Sequence, residues 1–253
     1  MPKRSLFALL LSLPLALLAA PSSALWAQAT PDTAPAVKEL KGEFHYLKPE
    51  DFLPQRTFAP PPLPDSPAQA MELARIKALI ADASPERLAQ AKSDGEHEDP
   101  SAFNETLGVD LNKLPATWAL LTAIQSETDA IIEAGKDAFG RQRPYSVDLT
   151  LRTCGKGNPA KSARSYPSGH AGMGYSVGWA LAKLLPPLAP TILARADDYA
   201  LSRELCAAHF HSDIEASHSI APLVADRLLA DPRLADQVAA AKRELAGAGL
   251  PAQ

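Results

Sequence analysis

Three times after residue 65 the chain sets a short capping side chain directly before proline: Ser66-Pro67, Ser84-Pro85 and Asp231-Pro232. Proline suits the first position of a helix, where no N–H is required, and the Ser or Asp before it can accept from a backbone N–H one turn on. Gln69 completes a capping box with Ser66. Helices therefore begin at all three places. Between and beyond them no stretch alternates apolar and polar residues long enough to make a strand, so the chain has no material for a sheet-based core. The segment from Ala116 to about Arg141 carries Leu120, Ile124, Ile131, Ile132 and Phe139 at mostly helical spacing, with Gln125, Glu127, Asp129 and Glu133 among the polar positions. Gly169–Leu185, Ala189 to about Cys206, Ser212–Leu229 and Pro232–Ala246 read as further helices, and Tyr145–Thr153 as extended or irregular. The fold class is all-α, a single-domain helical bundle.

Residues 1–29 read as a secretory signal: Lys3 and Arg4, an apolar run from Leu6 to Ala20, and a small-residue exit with cleavage after Ala29. Pro14 interrupts the run and Pro21 ends it, short of the ~20 apolar residues that a membrane span needs. Removing this segment takes away two bases and no acid, so the formal charge moves from −4 to −6. A mildly acidic chain is a poor general binder of nucleic acid or anionic membrane, and any anion site must be a local gathering of Lys and Arg. Residues 30–253 are expected to form one domain, an extended proline-rich arm over 30–67 and a helical core over 68–253. Tyr46, Phe52, Leu53 and Phe58 give the arm something to bury. Cys154 and Cys206 are an even pair in an oxidising compartment, the setting in which disulfides form; two buried free thiols are the alternative.

Three stretches carry candidate chemistry. In KDAFGRQRP, Lys136 and Arg143 are seven residues apart, two turns along one helical face, and Pro144 turns the chain at Arg143. Alone, such a pair is most simply a solvated basic face. In ARSYPSGHAGMG, Ser168 and Gly169 can start a helix whose free N–H groups attract phosphate. No strand precedes it, which removes the nucleophile-elbow and dinucleotide-loop readings, and leaves an anion anchor or a plain N-cap with a surface histidine. SRELCAAHFHSDIEASH holds Ser202, Arg203, His209, His211, Asp213 and His218. His209 and Asp213 are four apart, so the carboxylate can fix one ring nitrogen and leave the other basic and aimed, which makes His209 a candidate nucleophile. HFHSD also resembles the start of the H-x-H-x-D-H zinc motif, but Ile214 stands where the last histidine belongs and the accompanying strands are absent.

Together the stretches spell K-x6-R-P, P-S-G-H and S-R-x5-H-x3-D, in Lys136, Arg143, Pro144, Pro167, Ser168, Gly169, His170, Ser202, Arg203, His209 and Asp213. This order resembles the type 2 phosphatidic acid phosphatase and vanadium haloperoxidase superfamily, and more closely the bacterial class A nonspecific acid phosphatases; the likeness extends to the arm. It implies an exported, periplasmic, metal-independent acid phosphatase that hydrolyses phosphate monoesters of broad range through a phosphohistidine, with phosphotransferase activity a further option. By the same resemblance His209 is the nucleophile, Asp213 its partner, His170 the acid, and Lys136, Arg143, Ser168, Gly169 and Arg203 bind the phosphate. No cofactor or metal is implied, vanadate is expected to inhibit, and the partners are small-molecule phosphate monoesters, without nucleic acid or membrane; a homo-oligomer stays open. The rivals are a vanadate-dependent haloperoxidase, a lipid phosphatase and a non-catalytic phosphate-binding protein. Two departures, the spread proline run PQRTFAPPP and Pro222 in a region that the family keeps helical, touch the lip and the last helices. Specificity would be set at the lip, including EHEDPSAFNETLG.

Overall fold

The computed structural model describes residues 44–155, 157–158 and 161–252; the expected signal segment and residues 30–43 of the arm lie outside them. Helices of at least twelve residues are α1 (Pro67–Asp82), α2 (Pro85–Glu96), α3 (Pro115–Phe139), α4 (Gly169–Leu184), α5 (Ala189–Leu205), α6 (His211–Leu229) and α7 (Ala235–Gly247), and the described residues contain no strand. The fold is all-α. Ser66 and Ser84 cap α1 and α2 by accepting from the N–H of Gln69 and Arg87. Asp231 accepts from the N–H of Arg233, but Pro232–Leu234 is a single 3-10 turn and α7 starts only at Ala235.

The chain turns sharply after α3. Gly140 adopts φ 57°, a left-handed conformation suited to glycine, and its N–H closes the helix on Lys136 O. The helix thus ends at Phe139, so Arg143 does not share a helical face with Lys136; it sits at the entrance to the single turn Pro144–Val147. Pro222 lies within α6, which runs unbroken from His211 to Leu229.

α4 packs against α3, α5 and α6. It is buried nearly all round, as a helix enclosed by neighbours must be. Close approach is possible because its contact positions are glycine. A Cβ on Gly172 would lie 2.0 Å from Ile132 Cδ1 on α3, and one on Gly174 2.7 Å from the Tyr199 ring on α5. Met173, Val177 and Leu181 of α4 join Leu120, Ile124 and Ile131 of α3, Ile192 and Tyr199 of α5, and Val224 and Leu228 of α6 in one apolar core. α7 lies along α3, where the Glu244 carboxylate accepts from the N–H groups of Ala116 (3.0 Å) and Thr117 (2.8 Å), satisfying donors at the start of α3.

The described part of the arm is not extended throughout: Pro49–Phe52 and Pro54–Thr57 each form a helical turn. Phe52 and Phe58 are buried, whereas Tyr46 and Leu53 are half-buried. Three consecutive N–H groups, of His45, Tyr46 and Leu47, converge on the buried Glu127 carboxylate at 2.5, 2.9 and 3.1 Å. Cys154 and Cys206 are joined by a disulfide, their Cα atoms 4.8 Å apart, which ties the irregular loop after Val147 to the end of α5.

Candidate active site

Lys136 in the last turn of α3, Gly169 and His170 at the start of α4, Arg203 in the last turn of α5, Arg143 and His209 all line one cavity of about 360 Å³. Among the described residues, the N–H groups of Gly169 and His170 find no acceptor, and Nε and Nη1 of the buried Arg203 have no hydrogen-bond partner. Arg143 is held differently. Its Nε donates to Lys161 O (3.1 Å), Nη1 to Ala208 O (3.2 Å) and Nη2 to Arg164 O (3.1 Å), so backbone carbonyls take three of the five guanidinium protons. Lys136 Nζ contacts Glu133 at 2.5 Å, and Glu133 in turn pairs with Arg164.

His209 is 1% exposed. Its Nδ1 lies 2.7 Å from Ser165 O, and since a carbonyl oxygen only accepts, Nδ1 carries the proton and Nε2 the lone pair. Burial first, and then the charges of Arg143, Arg203, Lys136 and His170, hold the imidazole well below the ordinary histidine pKa. Both effects favour the neutral ring, with the Nε2 lone pair unprotonated among cations.

Asp213 departs from the sequence expectation. Its Oδ2 is 3.6 Å from His209 Nδ1, close enough to stabilise a positive ring but beyond a hydrogen bond. The carboxylate is instead occupied by Arg141 Nη1 (2.6 Å), Ser165 Oγ (2.5 Å) and the Phe210 N–H (2.8 Å). Burial pushes its carboxyl up, against the pull of those three partners. Ser168 also differs. It is fully buried, its Oγ accepts from the Ala171 N–H at 3.4 Å, and it does not reach the cavity wall. The residues of that turn that line the cavity are Gly169 and His170.

On the far side His170 Nδ1 stands 3.0 Å from Glu98 Oε1, and its Nε2 3.2 Å from Gly95 O. Two acceptors favour the imidazolium. Burial and Arg203 oppose it, and the balance leaves the pKa below the usual histidine value. Burial raises the Glu98 carboxyl, but the hydrogen bond and charge of His170, with Lys136 and Arg203, outweigh it and bring it down to about 2. Ser202 does not line the cavity. Its hydroxyl donates to Asp94 (2.5 Å), and Asp94 pairs with Arg195 (2.6 Å), clamping α2 to α5.

Glu98, Gly95, Arg141 and Ser165 are site residues that the sequence reading did not pick out. Arg141 lies two places before Arg143 and Ser165 three before Ser168, so proximity to a motif was the available signal; Glu98 falls in the lip segment. The histidines of HFHSD diverge: His211 Nδ1 faces Glu204 at 3.1 Å. Among the described residues no group of three or more His, Cys, Asp or Glu is arranged to hold a metal, and no helix is long and apolar enough to cross a membrane.

Comparison with known proteins matches residues 116–230 to the PAP2 superfamily. The chain is 32% identical to an acid phosphatase of Zymomonas mobilis, over 64% of each chain, and 29% identical to a non-specific acid phosphatase of Providencia stuartii, over 58% of this chain and 60% of that one. It thus spans just under two thirds of the length of these two relatives. A non-specific acid phosphatase of Salmonella typhimurium is 28% identical over 80% of this chain and 83% of its own. The stretch 116–230, which contributes Lys136, Arg143, Arg203 and both imidazoles of the cavity, matches the PAP2 superfamily, and the chain is similar to bacterial non-specific acid phosphatases.

Proposed function

We propose that the protein is an exported, periplasmic acid phosphatase that hydrolyses small phosphate monoesters through a phosphohistidine, without metal or cofactor. The observation that carries this reading is a buried, neutral imidazole whose Nδ1 is fixed on Ser165 O, in a cavity walled by Lys136, Arg143 and Arg203. Anion binding alone requires no such nucleophile.

In this reading the phosphoryl oxygens lie among Lys136, Arg143, Arg203 and the N–H groups of Gly169 and His170. His209 Nε2 attacks phosphorus in line, the ester P–O bond breaks, and its electron pair leaves on the alcohol oxygen, which takes a proton from His170. Positive charge then spreads over the His209 ring, where the Asp213 carboxylate 3.6 Å away stabilises it. Water, deprotonated by the now neutral His170, attacks the phosphohistidine and releases inorganic phosphate; an alcohol in place of water would give phosphotransfer. Three cations around a dianion do the charge stabilisation that Mg²⁺ supplies in other phosphoryl transfer sites.

Rapid quenching with ³²P-labelled ester is expected to trap acid-labile, base-stable label on the wild-type protein and none on His209→Ala, with turnover lost in the variant. Label retained in that variant would remove His209 from the mechanism. EDTA is expected to leave the rate unchanged and vanadate to inhibit. Replacing Arg203 with alanine should cost about 10³-fold or more, the scale of a transition-state arginine.

A further inference from the structure

The lip segment puts a carboxylate where an anionic ligand would go. Glu98 follows α2 in a non-helical link, and its Oε1 reaches over the start of α4: a Cβ on Gly169 would lie 2.7 Å from this oxygen and 3.2 Å from Lys136 Nζ. The same oxygen is 3.0 Å from His170 Nδ1. We propose that the Glu98 carboxylate occupies part of the phosphate cradle as an internal competitor, and that phosphate or a phosphate ester binds only as this side chain swings out. The proposal rests on the phosphatase reading for the position of the cradle.

Three observations carry it. The first is occupancy: Oε1 shares the space above Gly169 with Lys136 Nζ, at the helix end whose free N–H groups would hold a phosphoryl oxygen. The second is that both ring nitrogens of His170 are engaged, Nδ1 by Glu98 and Nε2 by Gly95 O. A leaving alcohol oxygen can be protonated only after one of them is released, and Glu98 is the partner on a side chain. The third is freedom of movement. The Glu98 backbone is tethered through its carbonyl, which accepts from Gln125 Nε2 at 2.9 Å, while its side chain is 41% exposed. Rotation about the side-chain torsions therefore clears the site without moving the fold.

Charge gives the arrangement its purpose. Without ligand the cradle holds Lys136, Arg143 and Arg203, and Arg203 keeps two unpartnered nitrogens. A tethered monoanion offsets part of that charge, and a phosphate dianion displaces it by making more bonds to the same groups. Apparent affinity is the intrinsic affinity reduced by the fraction of molecules whose site is free, so a carboxylate docked ten times out of eleven weakens phosphate binding about elevenfold.

Inorganic phosphate binding by calorimetry, and its inhibition constant against p-nitrophenyl phosphate, would be compared for wild type, Glu98→Gln and Glu98→Asp. Glutamine keeps the shape without the charge; aspartate keeps the charge but falls one methylene short. Both variants are expected to bind phosphate about tenfold more tightly, with KM falling in parallel. Gain in Glu98→Gln alone would mean a long-range charge effect and overturn the proposal, as would unchanged or weaker binding in both. A role confined to orienting His170 would lower kcat and leave phosphate affinity unchanged, which also overturns it. A wild-type protein that binds phosphate but hydrolyses no ester would refute the phosphatase reading, and calorimetry would still decide the role of Glu98. Absence of phosphate binding in all three proteins would overturn both.

Discussion

At His209 the proposed mechanism sets two requirements, an unprotonated ring to attack phosphorus and nearby cations to hold the phosphate dianion, and one environment serves both. Burial and those cations act in the same direction on its pKa, so the charges proposed to bind phosphate also hold the ring neutral. His170 must be protonated to act as the proposed acid, and its pKa is lowered less, because Glu98 and Gly95 O pull against burial and Arg203. Rising pH therefore switches His209 on as it passes a pKa well below 6.5, then switches His170 off at a pKa also below 6.5. The profile of kcat/KM reports these free-enzyme groups, and its maximum is expected under pH 6.5, between the two. A maximum above pH 7 would contradict the assignment. Behind the ring, Arg141 holds Asp213 at 2.6 Å and Glu72 at 2.6 Å and stacks over Phe210 at 4.0 Å. Arg141→Ala leaves the buried Asp213 carboxylate without its counter-ion, so urea unfolding should show a loss of about 3–5 kcal/mol.

At the scale of elements, helices were legible where their ends are written locally. The expected spans Gly169–Leu185, Ala189 to about Cys206 and Ser212–Leu229 fall within a residue of α4, α5 and α6, because proline, glycine and cap positions act over one turn. α3 was read about two residues too long because Gly140, which takes the left-handed conformation, looks like any other glycine in sequence. The site was legible only in part, for the same physical reason. Lys136, Arg203 and His209 announce themselves in short motifs, whereas the Arg141–Asp213 pair spans 72 residues and is set by the fold. The loop after Pro144–Val147 is a further case. Its carbonyls at Lys161 and Arg164 orient Arg143, and the Cys154–Cys206 bond ties it to the chain between Arg203 and His209. Opening that link frees a loop of about 50 residues, worth up to about 4 kcal/mol. Cys154→Ser with Cys206→Ser is expected to keep its helical circular dichroism yet lose at least tenfold in kcat/KM, through misplacement of Arg143. Unchanged kcat/KM would show that the carbonyl seat of Arg143 holds without the clip.

For the molecule as a whole, the cavity exists because α4 lets its neighbours come close. Lys136 on α3 and Arg203 on α5 line the cavity with the start of α4, and α4 meets those helices closely at Gly172 and Gly174. These glycines are costly in a helix, about 1 kcal/mol each relative to alanine, so the close contact must return more than that. Gly174 joins packing to chemistry most directly. Its missing Cβ makes room for Tyr199, whose ring stacks on His170 with centroids 6.0 Å apart and whose hydroxyl donates to His97 O at 2.7 Å, next to Glu98. Tyr199 thus packs on His170 on one side and the lip on the other. Gly174→Val would push against the Tyr199 ring, which is fully buried in the close-packed core. Overpacking of this kind costs about 1–3 kcal/mol, readable in urea unfolding, and the displaced ring would carry His170 with it. The fall in kcat should then exceed that of Gly247→Val, at the last residue of α7 with open space around it, when both are assayed well below their melting temperatures. Equal activity in the two variants would mean that the tyrosine moves independently of the acid, and that the packing of α4 against α5 does not set the geometry of His170.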